Sequence, residues 1–349
     1  MRIGIIGCGF IAQTHAGALK RLGLGGDLHF YDTNRVQAER LVASCGSGAV
    51  HEDLETLFSN RALDCTHILT PLPSHFQLAE KALVSGCHVY IEKPVTQTAE
   101  EFKALCELAR SRGKVLCAGY STLGMPVISR ARKEVSSGRL GRLISVHCDF
   151  LCSWPGNVIP YGDPSHWAYG LKGGVIQNMV DHPLSLVVDS MDEINDVSCS
   201  FSRRNKLPND CFDLLSVTMK NDDQVGSFTL YLGSGPAQWQ VHYFLEEGMI
   251  MADMGRQLIN ITRTKGPQNF VKKTLSGLET GFGYIKGTFS NIVQVATGDL
   301  QRNPGVQNTL AGFYQAVSGR GSLIVSNTKA QDITRVLDKV WESMDSSCA

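Results

Sequence analysis

The 349-residue sequence predicts a two-domain α/β protein: an N-terminal doubly wound parallel sheet, then an α+β domain with a large, mostly antiparallel open sheet. Three observations carry this. Short apolar runs alternate with helical periodicity through the first third of the chain. A glycine-rich turn directly follows the first of those runs. Beyond about residue 120 the runs lengthen and succeed one another through turns rather than helices.

In the first third, strand-like runs cover 2–6, 28–31, 65–69, 87–91 and 115–118, with helix-like patterns between most of them, as at 77–84 and 100–109. Mostly apolar strands belong to a parallel sheet covered on both faces. Right-handed crossovers then give the doubly wound topology. A helix over 126–137 ends at Gly138. Longer strand patterns follow at 143–152, 197–203, 211–220, 224–232 and 239–245, and Lys-Asn-Asp-Asp at 220–223 reads as a hairpin turn. The stretch 266–304 reads as helical with loops. The stretch 329–344 reads as an amphipathic helix whose apolar positions include Ile333, Val336, Leu337 and Val340. The expected division is a first domain over 1–121 and a second, for substrate binding and oligomerisation, over 122–349.

Composition narrows the function. With 43% apolar and 19% charged residues the chain is globular, and 33 basic residues balance 33 acidic ones. No basic field is available to draw nucleic acid or an anionic membrane, so small neutral or polar ligands are expected. The 11 cysteines form no CxxC pair. They read as free thiols of a cytoplasmic protein rather than a metal site. Arg2 ahead of an apolar run imitates a signal peptide, but the glycines within the run and Gln13-Thr14-His15 after it argue otherwise. No run approaches the roughly 20 apolar residues of a membrane span.

The opening turn carries chemistry. Gly7-Cys8-Gly9-Phe10-Ile11-Ala12 fits G-x-G-x-x-G/A, between a strand and a helix. The first glycine permits the tight turn, the second lets a pyrophosphate approach the backbone, and Ala12 is small enough for helix–strand packing. Gly7, Gly9, Phe10 and Ile11 are therefore candidate contacts of a dinucleotide in a Rossmann domain. Asp32 ends the second strand, where a carboxylate accepts hydrogen bonds from the adenosine ribose; it reads equally as a helix N-cap. Thr33 and Arg35 lie beside it. A carboxylate there repels a 2′-phosphate, so NAD is expected over NADP. Thr70, Pro71, Leu72 and His75 close another strand, either as a proline-rich turn or as a wall for the nicotinamide ribose.

GxGxxA at 7–12, TPLPSH at 70–75, GCHVYIEKP at 86–94 and GRLGRL at 138–143 resemble, in order and spacing, the Gfo/Idh/MocA oxidoreductases. That family includes glucose-fructose oxidoreductase and inositol dehydrogenase. The resemblance covers nearly the whole chain, and Glu-Lys-Pro is its most specific element. It implies NAD(P) chemistry on sugars or cyclitols and assembly into homodimers or homotetramers, here expected through the C-terminal sheet.

Lys93 follows the strand 87–91 at the edge where a cofactor crevice would open, with Glu92 and Pro94 fixing its direction. An ammonium there hydrogen-bonds a substrate hydroxyl and favours its alkoxide as hydride leaves. Without the other motifs it would read as a strand-end lysine in water. The proton needs an acceptor. Asn178 and His182 stand at i, i+4 on a helical pattern. The family pattern is D-x-x-x-H: His182 matches it, Asn178 replaces the aspartate, and Val180 replaces a common glycine. An amide orients a hydroxyl but takes no proton and supplies no negative charge to a neighbouring imidazole. His182 is then the expected base, Lys93 its electrostatic partner and Asn178 the positioner; a packed core histidine is the bland alternative. Asp181 lies about 100° round the helix. Tyr120, Trp154, Tyr161, His166 and Trp167 are candidate substrate contacts or interface packing. Ala168 stands where the family often has arginine after the tryptophan. Two other functions share these motifs: a glycosidase that retains NAD and works by redox-assisted elimination, and a non-catalytic dinucleotide-binding regulator.

Overall fold

In the computed structural model, the described residues are 1–348 apart from 60–62, 154–162, 205–206, 234–236, 264–269 and 299–302. They form two compact units. The first comprises Met1–Gly124 with Gly305–Arg335, and the second Met125–Pro304 with Val336–Ala349.

The first unit is built on strands β1 (Ile3–Ile6), β2 (Leu28–Tyr31), β3 (Ala49–Val50), β4 (Cys65–Ile68), β5 (His88–Glu92) and β6 (Leu116–Gly119). They pair in parallel in the order β3-β2-β1-β4-β5-β6. Helices α1 (Phe10–Arg21), α2 (Arg35–Cys45), α3 (Leu54–Ser59), α4 (His75–Val84) and α5 (Ala99–Ser111) make the crossovers. The strand order reverses between β1 and β4, and a crevice opens outside their carboxyl ends. Burial on both faces explains the unbroken apolar strands: Ile3, Ile5, Cys65, Ile68, Val89 and Ile91 are 0% exposed. Val306, Leu310, Phe313 and Tyr314, from a later helix, complete this core.

The second unit begins with α6 (Pro126–Ser136) and the long strand β7 (Leu143–Ser153). Then come α7 (Gly174–Met179), α8 (Asp181–Ser190), β8 (Asp196–Ser202), β9 (Leu214–Lys220), β10 (Val225–Gly233), β11 (Gln238–Leu245), β12 (Gly248–Asp253) and β13 (Leu258–Arg263). The sheet runs β13-β12-β11-β7-β10-β9-β8, antiparallel except where β10 lies parallel to β7. Alternation sorts its faces. On β9, Leu215, Val217 and Met219 are buried while Ser216 and Thr218 are exposed. Helix α8 lies over the buried face, close enough that a Cβ on Gly226 would meet Val187 Cγ1 at 2.6 Å.

Three helices close the chain: α9 (Phe270–Thr297), α10 (Pro304–Val317) and α11 (Asn327–Cys348). Where the sequence read as helix with loops, α9 is one helix of 28 residues. Strands β12 and β13 add two members to the antiparallel sheet that alternation alone did not pick out. Gly-Met-Ile-Met-Ala-Asp is apolar almost throughout and carries no period-2 signal.

Candidate active site

The nucleotide end forms at the strand-order reversal. Gly7 N–H donates to Tyr31 O (2.9 Å), and Leu69 N–H donates to Ile6 O (2.8 Å), so the turn after β1 is clamped between β2 and β4. Gly7 has φ +90°, and a Cβ there would meet the Leu69 carbonyl at 2.8 Å; only glycine fits. Gly9 is the N-cap of α1, and a Cβ on it would face open space. Among the described residues no side chain caps this helix, and no acidic residue occupies its first turn. The first amides of α1 thus point at room suited to an anion. Phe10 is 77% exposed beside them, Ile11 is half-buried, and Ala12 is fully buried against the sheet. The residues fit a dinucleotide pyrophosphate.

Asp32 sits at the end of β2 and braces the same turn. Its Oδ2 accepts from Cys8 N–H (2.7 Å) and its Oδ1 from Asn34 N–H (2.7 Å). Each oxygen retains lone-pair capacity for a ribose hydroxyl. Burial, reinforced by Asp32, pushes the Cys8 thiol up to about 12, which keeps it protonated at the turn. Asn34, not Asp32, caps α2, accepting from Val36 N–H. Thr33 is exposed. The exposed Arg35 guanidinium pairs with Glu39 (2.8 Å) and Glu52 (3.3 Å).

The loop after β4 is tied to the loop after β5, which carries Lys93. Thr70 Oγ1 bonds Ser74 Oγ (2.7 Å), and Pro71 caps a short 3-10 turn, Leu72–Ser74, whose Leu72 is buried. His75, 1% exposed, places Nε2 on Thr70 O (2.7 Å) and Nδ1 on Pro94 O (2.8 Å). It therefore ties the loop after β4 to the loop after β5, and any part it plays in cofactor binding runs through those loops. Burial lowers its basicity against the pull of the two carbonyls. Lys93 is half-buried, and its backbone N–H donates to Glu92 Oε2 (3.2 Å).

Glu92 anchors a buried polar chain that local sequence pattern did not reveal. Its Oε1 meets His15 Nε2 (3.1 Å), His15 Nδ1 meets His67 Nδ1 (3.0 Å), and His67 Nε2 meets Tyr314 OH (2.7 Å). Both histidines are 0% exposed. Burial, with His15 beside it, holds the His67 imidazole well below its ordinary value. With both rings neutral, one assignment satisfies every bond. Tyr314 donates to His67, His67 Nδ1–H donates to His15, and His15 Nε2–H donates to the Glu92 carboxylate. The one local signal was a histidine inside the otherwise buried strand 65–69.

In the second unit, Asn178 lies on α7 and His182 on α8. The two helices are nearly continuous: Val180 is helical, Val180 N–H donates to Ile176 O, and Leu184 N–H donates to Val180 O. The break between them coincides with Pro183, which has no N–H for Met179. Asn178 and His182 are both half-buried. The His182 ring stands edge-on to Phe150 (5.6 Å between centroids) and to Trp239 (5.7 Å). Those two aromatic partners come from β7 and β11 and carried no signal in the sequence. Asp181 is buried, 1% exposed. Ahead of α7, a 3-10 turn over Trp167–Gly170 packs against that helix. His166 Nδ1 caps the turn by accepting from Ala168 N–H (3.3 Å), and burial lowers its basicity. Trp167 is 38% exposed and tilts over His166, while Ala168 and Tyr169 are buried. Tyr120, in the first unit, is 1% exposed just beyond β6. Trp154 and Tyr161 lie outside the described residues.

A reversed-order parallel sheet, a glycine turn onto an uncapped helix and a carboxylate at the second strand end define an NAD-binding Rossmann protein. Comparison with known families agrees. Residues 1–120 match the profile "Oxidoreductase family, NAD-binding Rossmann fold", and residues 128–251 match the "GFO/IDH/MocA C-terminal domain". The chain belongs to the Gfo/Idh/MocA oxidoreductase family. Among curated relatives, a 1-carboxy-3-chloro-3,4-dihydroxycyclohexa-1,5-diene dehydrogenase of Comamonas testosteroni is 32% identical over 194 residues, 54% of this chain and 46% of that protein. The D-glucoside 3-dehydrogenase of Escherichia coli is 29% identical over 147 residues, 41% of each chain. The chain thus spans about half the length of the curated relatives it matches. Among solved structures, the WlbA dehydrogenase of Bordetella pertussis, in complex with NADH and UDP-GlcNAcA, superposes with a TM-score of 0.81. That match has 17% identity and covers 99% of this chain and 96% of the other, a likeness of fold.

Proposed function

We propose that the protein is an NAD-dependent dehydrogenase acting on a secondary hydroxyl of a sugar, sugar derivative or cyclitol. The observation that carries the reading is Lys93, half-buried directly after β5 in the unit that holds the glycine turn and Asp32. Bound NAD supplies a hydride acceptor. The Lys93 ammonium would hydrogen-bond the substrate hydroxyl and stabilise the negative charge that grows on its oxygen. His182 would take the proton, its ring oriented by Phe150 and Trp239, and Asn178 would hold the hydroxyl by hydrogen bonding. Trp167, 38% exposed, would border the substrate, whereas Tyr120 is buried and reads as packing. The names of the two curated relatives, a dehydrogenase of a dihydroxycyclohexadiene and a glucoside dehydrogenase, support a secondary ring hydroxyl as the reacting group.

Cofactor choice follows from Asp32 and Arg35. A carboxylate at the ribose edge opposes a 2′-phosphate. Arg35, which otherwise would attract one, is engaged by Glu39 and Glu52.

The test is an absorbance assay at the reduced-nicotinamide band. Protein and NAD are run against sugars, nucleotide sugars, inositols and aryl glycosides. NADH accumulating with one polyol or sugar is the expected result. Lys93→Met and His182→Asn should each lower kcat/KM about 10²- to 10⁴-fold while NAD still binds. Aglycone release without net NADH would replace the reading with redox-assisted glycoside cleavage. Either variant keeping nearly full turnover would remove that residue from the chemistry.

A further inference from the structure

Helix α9 displays an apolar stripe of unusual regularity. Leu275, Leu278, Phe282, Ile285, Phe289 and Ile292 recur at intervals of three and four residues, and each is between 50% and 69% exposed. The opposite side of the helix is already occupied. Asn291 Nδ2 donates to Arg256 O (2.8 Å) and Gln257 O (3.3 Å), and a Cβ on Gly287 would lie 2.6 Å from Leu258 Cδ2. Gly287 lies about 160° round the helix from Ile285 and Phe289 at 100° per residue. The helix is therefore seated on β13 by one side and leaves its most apolar side facing outward.

From this we infer that α9 is a self-association element, through which two copies of the protein pair along their apolar stripes. Spacing is the first argument. Strict alternation of three and four residues is the narrow seam of a coiled coil, whose natural complement is an identical seam. Area is the second. At roughly 200 Å² for an aromatic side chain, and less for an aliphatic one, the exposed fractions amount to roughly 650 Å² on one copy. Pairing would bury roughly 1,300 Å² in total, within the range of specific interfaces. A two-fold axis satisfies the arrangement because each stripe serves as the other's partner. A membrane-lying helix needs a broad apolar face opposite a solvated basic one, whereas here the opposite face is docked on the sheet. The inference does not rest on the catalytic reading.

The test is sedimentation equilibrium of the full chain across a concentration series. Wild type is compared with the Phe282→Glu/Phe289→Glu double variant and the Phe282→Leu/Phe289→Leu control. Wild type should associate, and the Glu variant should weaken one dimerisation step at least about 100-fold, as loss of central aromatic anchors does. A tetramer falling to a dimer has the same meaning. The Leu control should stay associated. These positions face outward, so an unchanged far-UV spectrum is expected for both variants, and the Glu variant alone should lose the concentration dependence that association gives the melting temperature. A wild type that stays monomeric at tens of micromolar, or a Glu variant that associates normally, overturns the inference. Flotation of an otherwise monomeric wild type with anionic vesicles would assign the stripe to a membrane instead.

Discussion

The buried chain from Tyr314 to Glu92 makes a prediction whose size follows from its hydrogen bonds. In His67→Val the valine suits a central strand, but the Tyr314 hydroxyl loses its acceptor and His15 Nδ1 loses its donor. Both sites are sealed from water, since His15 is 0% and Tyr314 8% exposed. An orphaned buried polar group costs about 1–3 kcal/mol, so the substitution should destabilise the first unit by about 2–6 kcal/mol. Tyr314→Phe removes one donor and leaves one imidazole nitrogen unpaired, for about 1–3 kcal/mol. The pair is not additive. Once the hydroxyl is gone His67→Val no longer orphans it, and once the imidazole is gone Tyr314→Phe no longer orphans its nitrogen, so the double variant should fall short of the sum by about 2–6 kcal/mol.

The readout must come from the first unit. The four tryptophans, at 154, 167, 239 and 341, all fall in the sequence ranges of the second, so fluorescence reports the wrong part of the molecule. Amide hydrogen exchange of β4 and β5 is direct. At about 1.4 kcal/mol per factor of ten, His67→Val should speed exchange there by about 30-fold to 10⁴-fold. Unchanged exchange, or single effects that add within about 0.5 kcal/mol, would refute the chain as a coupled unit.

Three further outcomes are expected. Gly7→Ala forces a Cβ to 2.8 Å from the Leu69 carbonyl at φ +90°, and should cost about 1–3 kcal/mol in stability and at least about tenfold in NAD affinity by calorimetry. Asp32→Asn removes the charge that opposes a 2′-phosphate and should raise the NADP-to-NAD affinity ratio at least about tenfold, read by titration of both cofactors. Acid should destabilise the first unit through His67 and His75, whose folded-state basicity burial lowers. The unfolded chain then binds more protons, so their contribution is complete above about pH 6.5 and is lost as pH falls below it. Thermal melts of wild type across that range should show the loss, and His67→Val should flatten it.

How much of this was legible in the sequence depended on the range of the forces involved. The parallel sheet was readable because four of its six strand ends are marked locally by an apolar run and then Gly7, Asp32, Thr70 or Lys93, whereas the two-residue β3 is too short to carry a pattern. Each of those residues acts at the carboxyl end of its own strand, so the topology alone carries them to one edge. The N-cap of α2 was misplaced by two residues as one of the readings of Asp32, because Asp and Asn compete for caps on equal terms. What decided between them was Cys8 N–H, a partner 24 residues away.

The parts that were not legible share one property: their partners are distant in sequence. Tyr314 reaches His67 across 247 positions, and no period or spacing announces such a bond. His67 itself stood in view as a polar residue in a buried strand. Its presence there demanded a hydrogen-bonding partner, but burial physics says only that one exists, not which. The stripe on α9 is the opposite case. Its spacing was present in the sequence, yet helical periodicity predicts a buried face, and the structure spends the other face on β13. Pattern identifies which residues avoid water. On α9 these six do not, and the pairing proposed for that helix is one way a second surface would cover them.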